Sequence, residues 1–407
     1  MEWLSEIGLA LLRIFLQPYL YIFFALIWLS GYLRIKRDRD SFQVKVFPYF
    51  KETKGTWLVS IIAGISISLI SIAVGFTLPL YVVIFIGLLL FVSFVINSFG
   101  WLSPGYILPF AALTIFLVNH YGESYLSDFL IHAFEQVDLS LLAIFMSLLL
   151  LAEAFLIRRG KGSDSFPELK KSKRGKFVGQ HRLKKITIIP VFALLPGGLL
   201  EPILPWWPLL ELSGESFGLI LIPYVLGFEY QIKSMLTSVA SKKLAGQHIL
   251  LALLVFAAGI TGYFYPIGTL VAFVLAFLGK ELIYFLFKWK DEREPMFFQP
   301  RSKGVQVLGV LPNSPAVDLD LIPGEKSISV NDLYVDSEEE FYYALSKNRA
   351  SCKLTVEDLN GELRFARRAL YEGEHHELGV LFIKDGSFYH RLENFQVEEP
   401  TVEIETK

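Results

Sequence analysis

Long stretches without charged residues are the feature that most constrains the fold of this chain. Residues 57–76 and 80–96, for example, contain no Asp, Glu, Lys or Arg. Each stretch approaches the roughly 20 residues that a helix needs to cross a bilayer. The overall content of 53% hydrophobic residues is only slightly above the roughly 45–50% of soluble domains. The distribution of these residues, rather than their number, therefore predicts a membrane protein.

The amino-terminal part, residues 1–290, is predicted to be a membrane α-helical bundle of about eight or nine transmembrane helices. Pro79 and Pro266 each stand between two apolar segments. Because proline ends a helix at the preceding residue, we expect a tight helical hairpin at each. Arg13 and Pro18 interrupt the first segment, so the number of crossings stays open. The predicted segments are 10–33, 57–76, 79–97, 104–119, 139–157, 186–205, 217–232, 247–264 and 266–287.

The positions of Lys and Arg predict the orientation of the bundle. The loops after the first, fifth, seventh and last segments are basic, whereas 119–138 and 201–216 contain acidic residues and neither Lys nor Arg. Because Lys and Arg stay on the cytoplasmic side, we expect the carboxy-terminal part in the cytoplasm. The basic loop 158–185 has almost no interleaved aromatic residues, so we interpret it as facing anionic lipid. No nucleic-acid partner is expected.

Ionisable residues inside the predicted segments are few, and we expect them to pair locally. Glu153 precedes Arg158 by a little over one helical turn, and Glu229 lies four residues before Lys233. Lys280 lies toward the cytoplasmic end of the last segment. No partner in another segment is evident for any of them, so we interpret them as structural rather than as an ion or substrate site.

Residues 304–384 have the pattern of a small soluble α+β domain. A buried strand is predicted at 305–310. Ser314 and Pro315 suit the N-cap and the first position of a short helix. A capping box at 337–340 precedes a second helix.

One run of this domain, GVQVLGVLPNSPAVDLDLIPGEKSISVNDLYVDSEEEFYYAL, resembles bacterial PDZ domains of the HtrA and site-2 protease type. The resemblance rests on Ser314-Pro315-Ala316, Gly324-Glu325 and Val330-Asn331, whereas Lys326 and Ser327 depart from the usual apolar residues. PDZ domains bind peptides by adding a strand beside their second helix. The resemblance implies a receiving strand with Val305, Gln306, Val307 and Leu308, an opposite wall with Phe341, Ala344 and Leu345, and a carboxylate-binding loop with Leu378, Gly379 and Val380.

No catalytic set is recognisable in either half of the chain. The segment His376-Glu377-Leu378-Gly379-Val380 lacks the second histidine of a helical zinc motif. The single cysteine, Cys352, excludes an internal disulfide and a multi-cysteine zinc site. We therefore expect no enzyme activity, no metal and no cofactor. A PDZ-bearing membrane protease or its regulatory subunit, and a transporter with a regulatory PDZ module, remain open as alternatives.

The whole layout resembles the MinJ family of Gram-positive cell-division determinants, and the run Pro18-Tyr19-Leu20-Tyr21 with Gly31-Tyr32-Leu33-Arg34-Ile35-Lys36-Arg37 resembles that family's start. The resemblance implies a membrane-anchored adaptor in division-site selection that links DivIVA to MinD, at the cell poles and the septum. Other divisome membrane proteins are further implied partners. The expected parts are a polytopic transmembrane domain (1–290), a linker (291–303), a cytoplasmic PDZ-like domain (304–384) and an acidic flexible tail (385–407).

Overall fold

A computed structural model shows helices packed around a long β-hairpin, with a smaller domain at one end. It describes residues 2–95, 99–121, 128–172, 175, 177–201, 216–299, 303–348, 350–371 and 378–383, so the expected tail 385–407 lies outside the described residues. The helices are α1 (Glu2–Arg13), α2 (Pro18–Phe42), α3 (Trp57–Val74), α4 (Leu80–Val95), α5 (Pro104–Tyr121), α6 (Asp128–Glu135), α7 (Leu139–Arg158), α8 (Thr237–Phe264), α9 (Pro266–Arg293) and α10 (Glu338–Lys347). The strands are β1 (Phe166–Lys171), β2 (Phe177–Leu200), β3 (Phe217–Ile232), β4 (Val305–Val310), β5 (Lys326–Val330), β6 (Leu333–Tyr334), β7 (Ser351–Glu357), β8 (Leu363–Ala369) and β9 (Val380–Phe382).

Among the described helices, five are long and apolar enough to cross a membrane: α2, α3, α7, α8 and α9. The expected hairpin at Pro266 is present, because this proline opens α9 directly after α8 ends. Gly262 and Gly268 let the two helices approach closely, since a Cβ on Gly262 would lie 2.4 Å from Thr269 Oγ1. The hairpin expected at Pro79 is wrong. Residues 76–78 separate α3 from α4 and are hydrogen-bonded to β2 instead.

Two of the predicted transmembrane helices, 186–205 and 217–232, are wrong. Their described residues form β2 and β3, which pair antiparallel from His181↔Ile232 to Pro196↔Phe217. Helices pack on both strands, and β3 is buried almost throughout. A strand buried on both faces is apolar at nearly every position. Periodicity alone then cannot distinguish it from a buried helix.

Side chains of neighbouring segments satisfy several main-chain groups along the outer edges of this hairpin. On β3, Arg13 and Gln17 donate hydrogen bonds to main-chain carbonyl groups at 2.6 and 2.9 Å, and Glu6 accepts a main-chain N–H at 3.1 Å. On β2, Ser68 Oγ accepts a main-chain N–H at 2.8 Å. Unsatisfied main-chain groups are costly away from water, so these bonds make the buried hairpin possible. The predicted segment 10–33 is accordingly divided into α1, which lies along the hairpin, and α2.

The ion pairs expected within single segments, Glu153 with Arg158 and Glu229 with Lys233, are also wrong. Glu153 of α7 pairs with Lys280 of α9. Glu229 of β3 pairs with two basic residues of β2. The charged groups therefore link different segments of the bundle, as expected for charges that cannot reach water.

The carboxy-terminal domain is a six-stranded sheet of order β8-β7-β5-β4-β9, with β6 paired to β5. Its predicted elements are present: β4 occupies 305–310, and the capping box opens α10, where Ser337 Oγ accepts the N–H of Glu340 at 3.1 Å. The short helix after Ser314 is a 3-10 helix. Apolar side chains of the strands and of α10 form one buried core.

Candidate protein-binding site at the edge of the carboxy-terminal sheet

Most candidate residues taken from the PDZ resemblance meet in the core of the carboxy-terminal domain. Leu308 instead faces the membrane part, and the Gln306 amide donates to Gly324 O at 3.3 Å. The structure thus brings strand, wall and loop together, but it buries their side chains. The candidates that share the core, each at most 5% exposed, are Val305, Val307, Phe341, Ala344, Leu345, Leu378 and Val380.

The expected receiving strand is in the wrong place. β4 is an interior strand: Val305 and Gln306 pair with β5, while Val307, Gly309 and Val310 pair with β9. Its main chain is therefore engaged on both sides, and an added peptide strand has no edge to join there. In the sheet, β9 lies next to β4 at the end of the strand order. Among the described residues, β9 has no second strand partner.

The loop candidates lead directly into this edge strand. Gly379 has φ +85°, a left-handed conformation that favours glycine. A Cβ at this position would lie 2.2 Å from Ser314 Cβ, so no larger residue fits. The carbonyl oxygens of Leu378 and Gly379 accept the N–H groups of Ala316 and Leu311 at 2.9 and 2.8 Å. The Ser-Pro-Ala motif thereby fixes the turn that precedes β9.

The wall helix α10 packs beside β9. The rings of Phe341 and Phe382 lie 4.7 Å apart. Ala344 is 1% exposed, so it belongs to the core and not to an open wall. Tyr343 is 64% exposed on the solvent side of the same helix. Strand addition requires a sheet edge, and among the described strands β9 supplies one beside α10.

The Gly-acid turn of the motif also has a structural role. Glu325 is 2% exposed and pairs with Arg364 at 2.8 Å. This hydrogen-bonded ion pair raises the pKa of Arg364 above its usual value. Glu325 also accepts the N–H of Ile322 at 2.8 Å. The acid therefore fastens the turn before β5 to β8.

The other face of β9 packs against the membrane part. Gly179 of β2 donates its N–H to Phe298 O at 3.0 Å, within the expected linker. The side chains that form this contact, here called the docking cluster, are Phe42, Val46, Phe47, Phe166, Phe298, Leu308, Leu381 and Ile383.

His181 lies beside the docking cluster. Its ring centroid is 4.7 Å from that of Phe298, and its Nδ1 is 2.8 Å from Ser165 Oγ. Burial disfavours the charged imidazolium and lowers the pKa of His181 to about 4. The role of His181 was not predictable from the sequence, because nothing in the local pattern indicates that residues 181 and 298 meet.

A buried polar network lies within the membrane part. Glu153 accepts hydrogen bonds from Lys280 Nζ and, at 2.6 Å, from Ser103 Oγ. Lys280 also lies 2.9 Å from His248 Nε2, which in turn lies 3.0 Å from the Tyr230 hydroxyl. A cavity of about 230 Å³ adjoins Lys280 and Tyr230. The sequence signal for this network was the presence of an ionisable residue, Glu153 or Lys280, in each of two separate apolar segments. Among the described residues, no group of three His, Cys, Asp or Glu side chains could hold a metal ion.

Comparisons with known proteins place this chain in a family. No family model matches the sequence. No solved structure matches it either. The chain is 34% identical over 385 residues to the cell division topological determinant MinJ of Bacillus subtilis (strain 168), covering 94% of this chain and 96% of that protein. It is 24% identical over 245 residues to the probable cell division topological determinant MinJ of Lacticaseibacillus paracasei, covering 60% of this chain and 66% of that protein. A relative of this identity and coverage shows that the chain belongs to the MinJ family.

Proposed function

We propose that this protein is a membrane-anchored adaptor in division-site selection, which links a DivIVA-like protein at poles and septa to a MinD-like protein. The similarity to cell division topological determinants along nearly the whole chain supports this role. The division of the chain into an apolar helical part and a separate sheet domain fits an adaptor, since one part holds the site and the other recruits a partner.

The partner-binding surface that we propose is the outer edge of β9 beside α10, which has the character of a PDZ groove. Leu311 donates its N–H to Gly379 O at 2.8 Å. Main-chain groups of successive residues in an antiparallel ladder point alternately toward and away from the neighbouring strand. The N–H groups of Val380 and Phe382 therefore face away from β4. An extended segment of the partner would pair with these groups.

The observation that carries this proposal is the order of the described strands, in which β9 is at the edge and β4 is not. Of the residues implied by the PDZ resemblance, Leu378, Gly379 and Val380 keep a binding role in the proposal. Phe341, Ala344 and Leu345 support the groove from beneath. The receiving strand moves from β4 to β9.

A matched pair of substitutions tests this mode of binding. Val380→Pro keeps most of the apolar volume but removes the outward N–H. Val380→Ala keeps the N–H and removes apolar volume. We expect Val380→Pro to lose co-purification with the DivIVA and MinD homologues of the same bacterium and to misplace septa, while Val380→Ala keeps both.

Membrane insertion and resistance of the carboxy-terminal domain to proteolysis establish that both variants are folded. A folded Val380→Pro protein that retains its partners and normal septa would remove the edge of β9 from the mechanism. Loss of partners by both variants would assign recognition to the side chain instead of the main chain.

A further inference from the structure

An apolar groove runs between α3 and α7 on the outside of the bundle. Its volume is about 790 Å³. Residues from Val59 to Ile70 of α3 form one side, and residues from Leu148 to Phe155 of α7 form the other. At 1.5 Å per residue, the α3 side is roughly 16 Å long. This length matches one leaflet of a hydrocarbon core that is roughly 30 Å thick.

The two ends of the groove differ in character: aromatic rings lie beyond one end, and basic residues line the other. Beyond Ile70, Phe76 stacks on Phe145 of α7 with ring centroids 5.0 Å apart. At the opposite end, Arg158, Arg159, Lys161 and Lys242 line the mouth. All four are exposed.

The basic residues of the mouth are available to a ligand. Within the described part of the chain, none of these four side chains has an ion-pair partner. Ser238, in the first turn of α8, adds a hydroxyl group at the same place. An apolar slot one leaflet deep, with unpaired cations at its mouth, is complementary to an anionic amphiphile.

We propose that this groove binds an anionic glycerophospholipid of the adjacent leaflet. Its acyl chain lies between α3 and α7, and its phosphate group contacts Arg158, Arg159 and Lys242. A transmembrane helix of a partner protein is a poorer fit, because it would need about twice this length to cross the bilayer. The bound lipid would sit beside the segment that leads from α7 to β1.

Native mass spectrometry of the full chain in neutral detergent tests this proposal. The protein is titrated with phosphatidylglycerol, with phosphatidylcholine of the same acyl chains, and with glycerol phosphate as the free headgroup. The charge variant is Arg158→Gln/Arg159→Gln/Lys242→Gln. Its control, Lys36→Gln/Arg39→Gln/Lys288→Gln, removes three exposed charges at the same end of the bundle but outside the groove. Ser66→Trp fills the groove, and Leu253→Trp places the same ring on the exposed side of α8.

Wild-type protein and both controls should retain phosphatidylglycerol in preference to phosphatidylcholine. Because each basic residue near an anionic headgroup contributes roughly fivefold, the charge variant should bind phosphatidylglycerol at least about tenfold more weakly. Ser66→Trp should lose the lipid, and glycerol phosphate should not be retained. Equal retention of both lipids, unchanged binding by the folded charge variant, or binding of glycerol phosphate as tight as that of the lipid would each overturn the proposal. Thermal unfolding in the same detergent verifies that every variant is folded.

Discussion

Arg34 illustrates how single buried residues order the membrane part. Its guanidinium pairs with Glu52 at 2.9 Å and Asp38 at 3.3 Å, and it donates to the carbonyl oxygen of Pro48 at 2.7 Å. Gly31, one helical turn earlier, leaves room for the main chain of Tyr49, because a Cβ there would lie 2.7 Å from Tyr49 O. The run that resembles the MinJ start therefore has a physical explanation: it fastens the loop after α2 to that helix.

His181 makes the stability of this protein depend on pH. It lies outside the membrane bundle, where β2 pairs with β1, and its pKa is lowered to about 4 in the folded protein. Its pKa is about 6.5 when exposed. Between these two pH values the unfolded state binds the proton more readily than the folded state. The contribution of His181 to the free energy of unfolding is therefore fully present above about pH 6.5 and is lost as the pH drops toward 4. At pH 5 the expected loss is about 2 kcal/mol.

Thermal unfolding of the full chain at pH 7 and pH 5 measures this loss. His181→Gln should reduce the difference by the contribution of His181, about 2 kcal/mol, whereas His120→Gln, at an exposed position, should leave it unchanged. An identical pH dependence in wild type and His181→Gln would contradict the assignment to His181.

At the scale of elements, the sequence predicted the helices far better than the hairpin. α3 begins at Trp57 and α7 at Leu139, as expected, because uncharged runs of this length indicate membrane helices directly. Pro190 and Pro223, which face each other across β2 and β3, were the overlooked signal. Proline within an apolar run opposes a helix and is tolerated at a strand edge. The support that α1 gives to β3 was not predictable, because its partners lie about 200 residues away in sequence.

Engineered cysteines test the register of the hairpin. In a Cys352→Ser background, Ile188→Cys/Val225→Cys places the two thiols on paired residues. Paired strand positions meet the requirement that the Cα atoms of a disulfide lie within roughly 7 Å. We therefore expect efficient oxidation to a disulfide, detected by mass spectrometry of proteolytic peptides. The control Ile188→Cys/Leu221→Cys moves one thiol four residues along β3, about 13 Å away, and should stay reduced. Preferential oxidation of the control pair would mean that the register is wrong.

At the scale of the whole molecule, local patterns predicted the parts of the carboxy-terminal domain but not its assembly. The strand at 305–310 and the helix after Ser337 were both predicted. The edge of the sheet was not, because β9 joins β4 from about 70 residues further along the chain. The contact of this domain with the membrane part through Phe298 and Leu381 was not predictable from local sequence either, because each is an ordinary apolar residue in its own segment.

The docked domain and the basic loops lie at the same end of the bundle, and this predicts the orientation of the whole protein. Lys185 of β2 contacts the loop before α3, and Lys233 before α8 pairs with Glu292 in the last turn of α9. The stretch 119–138 has neither Lys nor Arg, and Ser140, just after it, lies at the opposite end of the bundle, beside Thr269 at the α8–α9 hairpin. Because short basic loops stay in the cytoplasm, we expect the carboxy-terminal domain there as well.

Reporter fusions measure this orientation in living cells. Alkaline phosphatase fused at Lys407 should be inactive, because the enzyme requires export, and a green fluorescent protein at the same position should fluoresce. Phosphatase placed within 123–135 should be active. The paired reporters separate a cytoplasmic location from a fusion that is merely degraded. Phosphatase activity at Lys407 would reverse the orientation, and it would also place the edge of β9 out of reach of a cytoplasmic MinD-like partner.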